Sequence, residues 1–216
     1  MDRERRMMDS KSVEFASLLA SRLCHDLLSP IGALNNGIEL LADEHDPEMR
    51  ERCMELLAES AKTSATKLKF FRLAFGAAGG FDDEIDSREA KTAIEGLVGN
   101  TGRVELEWMV EQPSMSKAKI KILLNLALIG ADALVRGGTL LVGAEGGEIV
   151  VRAEGTRIVL DPELKTALLG KTDEEALTPR AAAAWLVHVL VQEGSGEVMV
   201  SEPEDNVLLF GVTFAG

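Results

Sequence analysis

A chain of 216 residues with 46% hydrophobic content can bury one large core or two small ones. Its formal charge of −13 supplies no basic footprint, which argues against nonspecific nucleic-acid binding. No apolar run approaches the ~20 residues of a membrane span, and Met1-Asp2-Arg3-Glu4-Arg5-Arg6 leads into no signal-like segment, so no membrane contact and a cytoplasmic location are expected.

Two long helices are predicted first. Over residues 10–42, Ala16, Ala20, Leu23, Leu27, Leu34, Ile38 and Leu41 follow a three-and-four spacing; over 47–76, Cys53, Leu57, Ala61, Ser64, Leu68, Phe71 and Phe75 do the same. The joint Asp43-Glu44-His45-Asp46-Pro47 is polar, with Asp46 suited to an N-cap and Pro47 to the first helical turn. So short a joint folds the helices back as an antiparallel hairpin. One hairpin cannot cover its apolar stripe on both sides, so two copies are expected to pair as a four-helix bundle in a homodimer. Cys24 and Cys53 fall on apolar positions and are expected as buried free thiols.

His25 departs from this pattern. It lies two residues from both Leu23 and Leu27, about 200° around the helix from each, and is predicted to point into solvent. Asp26 follows at once. Pro30 lacks the amide that would bond the Asp26 carbonyl and predicts a bend just past the histidine. By contrast His45 is expected in the solvated turn, and His188, among Leu186, Val187, Val189 and Leu190, as a packing residue. Trp108 and Trp185 are read as core.

Gly76-Ala77-Ala78-Gly79-Gly80 reads as a C-cap and hinge, dividing a helical domain, 1–78, from a second domain, 79–216. The second domain begins with a helix at 87–98, a strand at 103–110 and a helix at 115–135. Strands near 139–144, 148–153 and 157–160 follow, then helices near 162–169 and 179–192, and a closing strand pair at 196–201 and 206–214. The order suggests one helical layer on one sheet, an α/β sandwich, and an α+β protein as a whole. Most of the acid lies here: residues 1–76 hold 11 basic and 13 acidic residues, the remainder 12 and 23. The first domain is therefore freer to approach an acidic partner.

The run Ser21-Arg22-Leu23-Cys24-His25-Asp26-Leu27-Leu28-Ser29-Pro30-Ile31-Gly32-Ala33-Leu34-Asn35-Asn36-Gly37-Ile38-Glu39-Leu40-Leu41 closely resembles the ChpT family of bacterial histidine phosphotransferases. Phe70-Phe71-Arg72-Leu73-Ala74-Phe75-Gly76-Ala77-Ala78-Gly79 and Lys119-Ile120-Lys121-Ile122-Leu123-Leu124-Asn125-Leu126-Ala127-Leu128-Ile129-Gly130-Ala131 are similar to the same family. The resemblance implies a dimer with a kinase-like hairpin and a degenerate kinase-ATPase-like domain. It also implies a relay of phosphate from the receiver of a hybrid histidine kinase to response regulators of the CtrA and CpdR type. Three nucleotide signatures of such kinases are missing. Ile129 stands where an asparagine would help hold Mg²⁺, Ala153-Glu154-Gly155-Thr156-Arg157 lacks the adenine-loop carboxylate, and Thr178-Pro179-Arg180-Ala181-Ala182-Ala183-Ala184 has no glycine for phosphate.

The resemblance makes His25 the phosphate carrier, with Asp26 orienting the ring through its other nitrogen and stabilising the imidazolium. Arg22 would offset phosphate charge or form an ordinary surface salt bridge, and Ser29, a turn beyond His25, would contact phosphate or a bridging water or be a plain helix-surface serine. A receiver would dock on Leu28, Ile31, Gly32 and Asn35, joined by Ser60, Ser64 and Lys67 from the second helix. No cofactor of the chain's own is implied; Mg²⁺ would arrive in the partner receiver. Two other readings stay open on the residues alone: an active kinase with an unusual nucleotide site, and a non-catalytic regulator that sequesters a receiver.

Overall fold

The computed structural model describes residues 2–76, 84–99 and 102–214, the first nine of them as backbone only. Helix α1 runs from Asp2 to Asp43, unbroken through Pro30, and α2 from Pro47 to Ala74. Asp46 caps α2 by accepting from the Met49 amide, with Pro47 in the first turn where no amide is needed. The hairpin closes tightly because Gly37 lets Leu57 approach: a Cβ there would lie 2.8 Å from the Leu57 side chain.

The apolar positions of the hairpin separate onto two faces. Leu23, Leu27, Leu34 and Leu41 turn toward α2 and are half-buried, whereas Ile38 is 59% exposed. On α2, Cys53 is buried while Leu68 lies open. Cys24, expected inside, is exposed. It stands seven residues before Ile31 and fourteen before Ile38, so all three share a face that α2 does not reach.

After β1 (Glu84–Asp86) and α3 (Ser87–Gly99) come β2 (Val104–Val110), β3 (Ser114–Ser116) and α4 (Lys117–Ala133). Then follow β4 (Gly138–Glu145), β5 (Glu148–Glu154), α5 (Pro162–Leu168), a 3-10 turn at Glu174–Ala176, α6 (Ala182–Glu193), β6 (Gly196–Val200) and β7 (Val207–Phe214). The main sheet has the order β2-β4-β5-β7-β6, with β2 and β4 parallel and the other pairs antiparallel. Alternation sends Leu140, Val142, Ile149, Val151, Phe210 and Val212 inward under α4 and α6, as a sheet with one solvated face requires. Glu105, Glu107, Met109 and Met199 face out.

One expected strand is absent. Residues 157–160 form no strand; Ile158 makes a single bridge to Leu134, because both edges of β5 are already taken by β4 and β7. The short pair β1–β3 was not foreseen.

The boundary expected at 78/79, and most of the hinge at 76–80, lie outside the described residues. The core nevertheless joins the two parts. Phe70, Phe71, Leu73 and Ala74 at the end of α2 are buried in the same cluster as α4 and the sheet, each phenyl contributing about 2–3 kcal/mol by its burial. Asn125 of α4, fully buried, donates from Nδ2 to the Ala74 carbonyl at 3.2 Å and ties the end of α2 to the second part. At the other end of the interface, Phe15 and Leu18 of α1 share a small cavity with Leu177, Trp185 and Val189, and Lys11 pairs with Glu174 at 2.6 Å. Among the described residues no helix is long and apolar enough to cross a membrane.

Candidate functional site

His25 stands on α1 with its side chain 83% exposed, on the side of the helix turned away from α2. Its Nδ1 lies 3.3 Å from Asp26 Oδ1. An ionised carboxylate can only accept, so this contact favours the tautomer in which Nδ1–H donates and leaves the Nε2 lone pair free. Asp26 is far less accessible, at 17%. It is held from two directions: Arg22 donates from Nε to Asp26 Oδ2 at 2.7 Å, and Lys67 of α2 donates from Nζ to the Asp26 main-chain carbonyl at 3.0 Å. That carbonyl is available because Pro30, four residues on, has no amide to offer it.

Arg22 and Lys67, expected to face a partner, are instead engaged within the chain. The Arg22 side chain is 12% exposed and also donates from Nη2 to Asp132 Oδ2 at 3.1 Å and from Nη1 to the Arg180 carbonyl at 3.4 Å. Burial opposes its charge, but the bonds to Asp26 and Asp132 outweigh that and hold Arg22 above its ordinary, already high value. Burial pushes the Asp132 carboxyl above the usual aspartate range against the pull of Arg22. Its side chain is 53% exposed, yet the water that reaches it is that of a cleft walled by protein.

The cleft, of about 610 Å³, is lined by Ser21, Arg22, His25 and Asp26 from α1, and by Asp132, Thr178, Pro179 and Arg180 from the second part. Arg180 is anchored by Asp161, 3.3 Å away, and stays largely open to water. Leu28, Ser29, Ile31 and Asn35 are exposed and Gly32 half-buried, so α1 offers an accessible patch beside the histidine. Ile31 lies about 240° around the helix from His25 and shares its face with Ile38 rather than with the histidine. Ser60 and Ser64 are half-buried, and Ser64 returns its hydroxyl to the Ser60 carbonyl at 2.9 Å.

Sequence reasoning missed Asp132 altogether. It read Thr178-Pro179-Arg180 as a lost glycine loop, not as a wall beside His25. An acid near the end of an apolar helix is a faint signal, and nothing in the sequence joins it to an arginine 110 residues away. Ile129, at the position of the missing asparagine, is buried in the core and presents no ligand for a Mg²⁺–nucleotide. Among the described residues no group of three or more His, Cys, Asp or Glu could hold a metal ion.

Related sequences and structures are found among bacterial phosphotransferases. Protein phosphotransferase ChpT of Brucella abortus (strain 2308) is 40% identical over 134 residues, an alignment that spans 62% of this chain and 62% of that protein. A solved bacterial phosphotransferase superposes with a TM-score of 0.82 at 31% identity, covering 93% of this chain and 96% of the other. The histidine phosphotransferase C-terminal domain family matches residues 87–206. The chain belongs to the ChpT-type histidine phosphotransferase family. In this chain the family domain begins at Ser87, beyond the hairpin that carries His25, so the site draws one wall from inside that domain and one from outside it.

Proposed function

We propose that this protein relays phosphoryl groups between receiver aspartates through His25. The observation that carries the reading is the pairing of a largely exposed imidazole with an anchored carboxylate at Nδ1, which leaves Nε2 as the nucleophile. Nε2 would attack the phosphorus of an aspartyl phosphate, the P–O bond to the carboxylate would break, and the positive charge on the ring would be met by Asp26. The reverse step would deliver phosphate to a second receiver. Mg²⁺ would belong to the receiver, whose acidic pocket suits a hard cation.

The donor would be the receiver of a hybrid histidine kinase, and the acceptors response regulators of the CtrA and CpdR type. A receiver would approach over Leu28, Ser29, Gly32 and Asn35, with Thr178–Arg180 across the cleft. ATP would take no part; the buried Ile129 and the glycine-free Thr178–Ala184 segment support that reading. The functional unit would be a homodimer joined through the open apolar face of the hairpin.

The test is phosphotransfer with radiolabelled substrate on the wild type and His25→Ala, first with labelled ATP alone, then with a phosphorylated kinase receiver. Label taken from the receiver and absent from His25→Ala is the expected result. Label taken directly from ATP would make the protein a kinase. No label in either arm would leave a receiver-binding module and remove the role given to His25.

A further inference from the structure

Asp26 has two oxygens, and they do different things. Oδ1 faces His25 Nδ1 at 3.3 Å, while Oδ2 accepts from Arg22 Nε at 2.7 Å. This division is not what an arginine beside a carboxylate prefers. A guanidinium left to itself turns its Nε–Nη edge so that two parallel N–H groups meet both carboxylate oxygens. Here that pairing is not made: Arg22 Nη2 donates to Asp132 Oδ2 at 3.1 Å and Nη1 to the Arg180 carbonyl at 3.4 Å. The planar fork is held at its outer edge, so a single donor, Nε, reaches Asp26.

We infer that Asp132 is a positioning residue for His25: by occupying the outer edge of Arg22 it keeps Asp26 Oδ1 turned to the Nδ1–H of the histidine. The inference rests on the reading of His25 as the phosphoacceptor and gives the ATPase-like part a share in the chemistry without contact with phosphate. Arg22 stands between two carboxylates and Lys67 donates to the Asp26 carbonyl, so both cations lie beside the carboxylate that faces the ring. Removing the Asp132 charge releases the fork to close on both oxygens of Asp26 and draws Oδ1 away from the ring. Arg180, which lines the same cleft, is paired with Asp161 at 3.3 Å, and neither side chain is bonded to Arg22 Nη2.

The test uses the full chain and potassium phosphoramidate, a donor that needs no protein docking. Nε2 of His25 bonds to phosphorus as the P–N bond of phosphoramidate breaks, and ammonia leaves with a proton from solvent. Asp132→Asn and Asp132→Ser are each expected to label His25 about tenfold more slowly than wild type, the scale of a small misplacement next to a reacting group. Glu202→Gln, which removes a surface ion pair with Lys165, should leave the rate unchanged. Nitrogen-15 spectra of His25 give the second readout: the Nδ1–H tautomer predominates in wild type and gives way to Nε2–H in the Asp132 variants. A merely structural role would lower the melting temperature without moving that ratio. Wild-type rate and tautomer in folded Asp132 variants would overturn the inference while leaving the phosphoacceptor reading intact. Failure of wild-type His25 to take label would overturn that reading, and the inference with it.

Discussion

The surroundings of His25 depend on groups that stand in for one another. Pro30 removes the amide that would bond the Asp26 carbonyl, and Lys67 supplies the missing donor from the neighbouring helix. Lys67→Met is therefore expected to destabilise the wild type by about 1–2 kcal/mol, the scale of a bond to a charged donor. In a Pro30→Ala background the same change should cost less, since the restored amide at position 30 takes the carbonyl. Urea unfolding of the four proteins measures the coupling, and an identical cost in both backgrounds would refute it. Asp132 gives a second prediction. Folded, its carboxyl keeps its proton above the ordinary aspartate value of 3.8 because burial outweighs the pull of Arg22. Above that value the folded chain binds more protons than the unfolded one, so stability falls as pH rises through the ionisation of the folded carboxyl. Asp132→Asn lacks this fall, and its stability should gain on wild type as pH rises above the ordinary aspartate value in urea unfolding. Parallel curves would show that ionising Asp132 carries no such cost.

At the scale of elements, the second part is fixed by a few places where backbone meets backbone. Gly137 and Gly138 enter β4 with φ of +83° and +143°. A Cβ on Gly138 would lie 2.1 Å from the Glu154 carbonyl oxygen, and one on Gly137 2.2 Å from that of Arg103. Gly138→Ala is expected to cost about 3 kcal/mol, among the larger effects of a point change. Gly99→Ala, where a Cβ meets nothing within 4 Å, should be close to neutral in the same thermal melts. Equal melting temperatures would mean that the start of β4 yields. The elements were largely legible because their signals are local: Asp46 and Pro47 mark the start of α2, and alternation marks β2. What escaped depends on pairing. The three-residue strands β1 and β3 are too short for a period to show, and 157–160 has strand composition but no free sheet edge to join. The site divides in the same way. The exposure of His25 followed from its angular offset, whereas the inward turn of Arg22 depends on Asp132 in a distant helix.

The whole molecule leaves one large feature unsatisfied within a single chain. Cys24, Ile31 and Ile38 recur every seven residues on α1, as do Met54, Ala61 and Leu68 on α2, and all six are exposed. The hairpin register places Gly37 against Leu57 and Asp26 beside Lys67, so Ile38 neighbours Met54 and Ile31 neighbours Ala61. Both rows stand roughly a quarter turn from the α1–α2 contact, in the same rotational sense. In an antiparallel pair that puts them on one side of the hairpin. Arg22, Asp26 and Lys67 occupy the other side, toward the second part. Seven-residue rows of this kind are the seam of a helical bundle, and a second copy would cover them without touching His25. The protein is therefore expected to sediment at twice the chain mass at micromolar concentration. Ile38→Asp, central to the rows and remote from the cleft, should yield a monomer that keeps its helical circular dichroism. That monomer should still accept phosphate from phosphoramidate at His25, since Arg22, Asp26 and Asp132 all come from one chain. A wild type that sediments as a monomer would remove the dimer. An Ile38→Asp monomer that folds but cannot be labelled would show that the second copy contributes to the reaction centre, and that one chain does not suffice to hold Asp26 against His25.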